Sequence, residues 1–137
     1  MAKFVGKPSV SKRPAAEVAA KFDDLTVLQD LMDRLPEDQR AKIGDISFTK
    51  DDVNIPVPQM GPVTLRVTER RPDLITFDAV GVPVPLNLYV HINPLGESET
   101  EVSAEIEVDI PAFLKPMIGG TMQRAVDQFG QMMAMLS

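Results

Sequence analysis

Two stretches of strict alternation constrain this chain more than any other feature in it. Val84, Leu86, Leu88, Val90 and Ile92 alternate with Asn87, Tyr89, His91 and Asn93. Val102, Ala104, Ile106, Val108 and Ile110 alternate with Glu101, Ser103, Glu105, Glu107 and Asp109. A period of two sustained this long predicts antiparallel strands with one dry face and one wet face. A chain built on such strands must bring something apolar to cover the dry face.

Earlier segments carry the same period more briefly. Ile46 and Phe48, then Val53, Ile55 and Val57, then Val63, Leu65 and Val67, then Ile75, Phe77 and Ala79 each alternate with polar residues. Six consecutive short strands are therefore expected after Ile43, and their short connections predict a meander. A further edge strand is expected over residues 3–11, with Phe4 and Val10 on one side and Lys3, Lys7, Ser9 and Ser11 on the other. Pro14 opens a short helix through Val18 and Phe22, because a proline at the first turn gives up an N–H that would be unpaired anyway. A second short helix carries Leu25, Leu28, Leu31, Met32 and Leu35, and Pro36 is expected to end it. The cover comes last: Ile118, Met122, Ala125, Val126, Phe129, Met132, Met133 and Leu136 form one stripe of a long helix, opposite Arg124, Asp127, Gln128 and Gln131. The pair Gly119 and Gly120 after Pro116 predicts a hinge or break near its start.

This order of elements, with the segments PVPLNLYVHINP and IGGTMQRAVDQFGQMMAML, resembles the helix-grip fold of the START/Bet v 1-like (SRPBCC) superfamily. That group includes polyketide cyclases and lipid carriers, and the chain is similar to its small bacterial members. The resemblance covers essentially all of residues 1–137, which are read as one domain. It implies an α+β fold: a curved seven-stranded antiparallel sheet wrapped around a long C-terminal helix, with two short helices between strands one and two. It also implies that strand one lies beside strand seven and that a cavity separates sheet and helix. Lys3 and Lys7 would then stand near Glu101, Glu105, Glu107 or Asp109.

Composition narrows the chemistry. The 137 residues are 44% hydrophobic and 25% charged, as in an ordinary globular chain. The formal charge is −6, and no Lys/Arg cluster is interleaved with aromatics, so neither nucleic acid nor an anionic membrane is an expected partner. Without a signal-like N-terminus or an apolar run of membrane-spanning length, no stable membrane insertion and a cytoplasmic location are expected. The lack of cysteine excludes disulfides, thiolate catalysis and Cys-ligated metal. His91, the single histidine, falls on the outward face with Tyr89, and one nitrogen beside exposed carboxylates makes too loose a set for a metal site. The acidic column of Glu101, Glu105, Glu107 and Asp109 is likewise expected in water, as a solubilising face. No metal or cofactor is expected.

The residues expected to point inward include almost nothing titratable, which favours binding over catalysis. The expected function is non-enzymatic binding of a hydrophobic or amphipathic, lipid-like molecule between the sheet and the last helix. Its expected contacts are Met32 from the second helix; Phe48, Ile55, Leu65, Phe77, Leu86, Leu88, Val90, Ala104 and Ile106 from the strands; and Met117, Met122, Val126 and Phe129 from the last helix. Methionine suits such a site because it adapts to irregular apolar shapes. Two alternatives stand beside it: a cyclase- or dehydratase-like enzyme, and a protein-interaction module whose core is filled. The mouth is expected where residues 58–61, 81–85 and 111–120 meet, because alternate turns of a meander share an end and these carry Met60, Leu114, Met117 and Ile118. Ligand identity and oligomeric state are not encoded in any pattern of the chain.

Overall fold

The computed structural model describes residues 2–43, 46–57, 61–82 and 84–136. Strands β1 (Ala2–Val5) and β2 (Ser9–Ser11) precede helices α1 (Ala15–Ala20), α2 (Thr26–Asp33) and α3 (Glu37–Ile43). The meander follows as β3 (Ser47–Phe48), β4 (Asp52–Val57), β5 (Gly61–Arg70), β6 (Leu74–Val80), β7 (Leu86–Pro94) and β8 (Thr100–Val108). A 3-10 turn at Ala112–Leu114 leads into α4 (Lys115–Leu136). All pairings are antiparallel, in the order β1-β8-β7-β6-β5-β4-β3, with β2 also on β8.

The long strands obey the alternation that announces them. Leu86, Leu88, Val90 and Ile92 on β7 are buried, as are Val102, Ala104, Ile106 and Val108 on β8. Their register pairs like with like, Leu88 with Ile106 and Val90 with Ala104, so the dry face is continuous. α4 closes it with Met122, Val126, Phe129 and Met132, all buried. The Phe129 ring stands edge-on to Phe77 with centroids 6.1 Å apart, a favoured aromatic geometry.

The first strand departs from the expected single run. β1 pairs Phe4 with Ile106, whereas β2 pairs Val10 with Glu101, which is one residue out of step. The extra residue between them flips the parity: Phe4 is buried, but Val10 is exposed and Ser11 takes the inward place. The slip follows Gly6, whose N–H donates to the Ala104 carbonyl at 2.8 Å. Among the described residues the expected first strand is thus two segments, β1 and β2, both on β8, and the order of the other six strands is as expected.

The helical insertion also differs in number. α2 stops at Asp33, and Pro36 begins a third helix instead of only ending the second, its carbonyl accepting the Arg40 N–H at 3.0 Å. Proline suits both positions, since it cannot continue one helix but is well placed to start another. α1 and α2 with their flanking residues bury Val18, Phe22, Leu25, Leu28 and Met32. α2 is tied to the meander through Gln29, whose side-chain oxygen accepts the Phe48 N–H at 2.7 Å.

α4 is continuous through Gly119 and Gly120, so the expected break is absent. Packing overrides the local weakness of two glycines, which cost only about 1 kcal/mol each within a helix. Gly119 lies against the Phe4 ring, with 3.5 Å between that ring and a Cβ placed on it. Pro116 falls in the first turn, where its missing N–H has no helical partner to lose.

Candidate functional site

α4 is seated off-centre. Among the described residues it packs mainly on β1, β2 and β8 and touches α2, with its main contacts away from β4 and β5. The Gln123 side chain donates to the Val5 carbonyl at 2.7 Å, and Asp127 accepts the Lys7 N–H at 2.9 Å, fastening one flank of the helix to the first two strands. Gly6 permits this closeness: a Cβ there would come within 2.9 Å of the Val126 carbonyl oxygen. The offset leaves a cavity of about 290 Å³ under the other flank.

Its inner wall is apolar. Val63, Leu65, Leu86, Leu88 and Ile106 contribute from the sheet and Met122 and Phe129 from α4, all of them buried. Ile46, Ile55, Pro56 and Ala125 carry the wall outward. At the rim, Thr121, Arg124 and Gln128 follow one another along α4 at helical spacing. Arg124 and Gln128 are exposed and Thr121 is half-buried.

The residues expected to touch a ligand divide between wall and core. Ile55, Leu65, Leu86, Leu88, Ile106, Met122 and Phe129 border the cavity. Phe77, Val90, Ala104 and Val126 are wholly buried and lie outside its lining, as do the buried Met32 and Phe48. Val126 is on the flank of α4 turned toward Gly6. Met117 is 72% exposed on the first turns of α4, away from the wall. Ile46, Pro56, Val63, Thr121, Arg124, Ala125 and Gln128 complete the lining and lie outside the expected set. Strand parity is a signal that could find Ile46 and Val63, which share a face with Phe48 and Leu65. Nothing local marks Thr121, Arg124 or Gln128, which lie toward the polar side of the helix.

The mouth is displaced for the same reason. Among the described residues, none of 81–85 or 111–120 borders the cavity; its exposed lining residues are Pro56 on β4 and Arg124 and Gln128 on α4. The expected contribution of Pro58, Gln59 and Met60 lies outside the described residues.

On the opposite, wet face, Glu105 links two neighbours. Lys3 Nζ is 3.1 Å from one carboxylate oxygen, and His91 Nε2 is 3.0 Å from the other. Partial burial by itself would push the Glu105 carboxyl up, but the hydrogen bonds from His91 and Lys3 outweigh it and hold the group below its ordinary range. The same contact raises the Lys3 ammonium. The Tyr89 hydroxyl is raised, first by burial and then by the Glu107 carboxylate. Among the described residues no group of three or more His, Cys, Asp or Glu side chains is placed to hold a metal ion. No helix among them is long and apolar enough to cross a membrane.

No family model matches the sequence, and no curated protein matches it. Solved structures do. A START superfamily protein from Mycobacterium smegmatis superposes with a TM-score of 0.63 at 12% identity, over 96% of this chain and 94% of that one. A protein from Thermus thermophilus gives 0.65 at 13% identity, over 98% and 96%. Norcoclaurine synthase from Thalictrum flavum gives 0.69 at 9% identity, over 98% and 86%. The fold is the START/Bet v 1-like helix grip. Matches that span whole chains at such low identity locate the likeness in the architecture, and the START-like frame accounts for the sheet wrapped on α4. The residues at the rim belong to this sequence and have to be read from its own chemistry.

Proposed function

We propose that this START-like chain is a single domain that binds a hydrophobic or amphipathic small molecule between its sheet and α4, as a carrier or sensor and not as a catalyst. The observation that carries the reading is the cavity itself: about 290 Å³ behind an apolar wall with a polar rim on one side. Well-packed interiors hold few voids larger than a water molecule. An apolar void of roughly 150 Å³ already takes up benzene, and ligand pockets begin near ~300 Å³. This favours a binding module over an interaction module with a filled core. A START-like neighbour, norcoclaurine synthase, was solved with dopamine and hydroxybenzaldehyde, which are small aromatic molecules.

A cyclase- or dehydratase-like reaction needs a general acid or base within reach of the bound molecule. Among the described lining residues Arg124 is the one ionisable group, and it stands at the rim. An arginine stays protonated and is a poor proton-transfer group. Binding is therefore the better reading, and the chain is expected to work in the cytoplasm on a ligand small enough to be enclosed.

Native mass spectrometry and thermal-shift measurements on delipidated protein test it, with a panel of medium-chain acids, alcohols, isoprenoids and small aromatics. Saturating ligand should raise Tm, by about 2.7 kcal/mol of stability at a hundredfold excess over Kd. No mass adduct and no shift with any member of the panel would remove the reading.

A further inference from the structure

Among the described residues the cavity lining carries one cation, Arg124, and no anion. Arg124 makes no ion pair or hydrogen bond with any described residue, although several other arginines of the chain do: Arg13 with Glu17, Arg66 with Asp52 and Arg70 with Asp51. The single carboxylate on α4, Asp127, is already used on the other flank, where it accepts from Lys7 and Gln123. Among the described residues no carboxylate lines the cavity. In a chain of net charge −6, a guanidinium that meets no carboxylate among the described residues, beside an apolar hole, is an unusual placement.

Its neighbours on the helix are donors as well. Thr121 lies three residues before Arg124 and Gln128 four after it, so a hydroxyl, a guanidinium and an amide share a stripe about 10 Å long. Gly120 leaves space under the guanidinium, with 4.0 Å between Arg124 Nη1 and the position a Cβ would take. The guanidinium fork fits a carboxylate through two parallel hydrogen bonds, a match that neither a lysine nor a lone amide provides. Because the rim is solvated, an anionic head group placed there keeps much of its water and avoids the cost of full burial.

Resting on the proposal that the cavity binds a small molecule, we infer that its ligand is a monocarboxylic acid with an apolar body, held head-outward by Arg124 with Thr121 and Gln128 beside it. The volume lies at the small end of the range for ligand pockets, which calls for a small apolar body. A medium-chain acid or a one-ring aryl alkanoate meets that description.

Calorimetry with decanoate and its neutral counterpart decanol tests the assignment at low salt and pH 8. The wild-type protein should prefer decanoate by about ten- to a hundredfold, the range that a charge-assisted hydrogen bond brings. Arg124→Gln should bring the ratio of the two affinities close to one. Arg124→Lys should restore part of it, and Lys115→Gln, which removes the same charge from an exposed site outside the lining, should leave it as in wild type. A wild-type protein that binds both molecules equally, or an Arg124→Gln variant that keeps the preference, overturns the head-group assignment while the cavity reading stands. Failure of wild type to bind either molecule or any member of the wider panel removes both. Decyl phosphate binding more than tenfold tighter than decanoate would replace the carboxylate with a phosphate monoester.

Discussion

Gly6 has no room for a methyl group, and the atoms that exclude it belong to the backbone. A Cβ would stand 2.9 Å from the Val126 carbonyl oxygen and 3.2 Å from that of Ala104, so neither strand nor helix can yield by a side-chain rotation. Gly6→Ala should lower the unfolding free energy by about 1–3 kcal/mol, as overpacking does elsewhere, measured by urea denaturation. Gly120→Ala meets nothing closer than 4.0 Å and should gain up to about 1 kcal/mol from helix propensity in the same assay. A loss of stability at Gly120 instead would show that the start of α4 needs the looseness of its glycines. Glu105 gives a second test at this scale. Its folded pKa lies below the ordinary value of 4.5, so its contribution is fully present above that pH and is lost as pH falls through the lower, folded value. The denaturation midpoint should drop on acidification below pH 4.5, and Glu105→Gln should flatten that part of the profile. An unchanged profile would mean that Lys3 and His91 contribute nothing to the folded state.

At the scale of elements, the strands test their own register. Leu88 is almost wholly buried and faces Ile106 across the β7–β8 pair, while Ser103 on the same pair faces His91 on the wet side. Leu88→Asp should unfold the protein, because an unpaired buried carboxylate costs several kcal/mol against a total of about 5–15. Ser103→Asp should cost less than about 1 kcal/mol. Equal losses, read by circular dichroism at 25 °C, would contradict the register. These two strands are legible in the sequence because a one-sided sheet writes its geometry as alternation. β1 and β2 are less so: the slip between Gly6 and Ser9 is a matter of one residue, and Val10 is more apolar than the Ser11 that takes its place inside. Pro36 reads as a stop, yet it also starts α3, and nothing in the local sequence separates the two roles. Gly119 and Gly120 suggest a hinge because the Phe4 ring that braces the helix lies far away in the chain. The buried half of the cavity wall follows from parity. The rim does not, since it depends on which flank of α4 is left uncovered, and no local pattern records how a helix is offset on a sheet.

For the molecule as a whole, the cavity links stability to occupancy. Filling it from the helix side, with Ala125→Leu, should stabilise the empty protein by up to about 1 kcal/mol and reduce the Tm rise caused by ligand. A variant that gains stability and keeps the full ligand shift would place the ligand elsewhere. The fastening of α4 to the first strands also has a consequence for how the protein is made. Lys7 and Asp127, which hold the helix flank, are 120 residues apart. At the ribosome's pace of about 5–20 residues per second, the first of them waits roughly 6–24 s for the second. The whole apolar face of the meander is synthesised during that interval, before the helix that will cover it. Vectorial synthesis therefore exposes the nascent chain longest on the surface that later becomes the wall of the cavity.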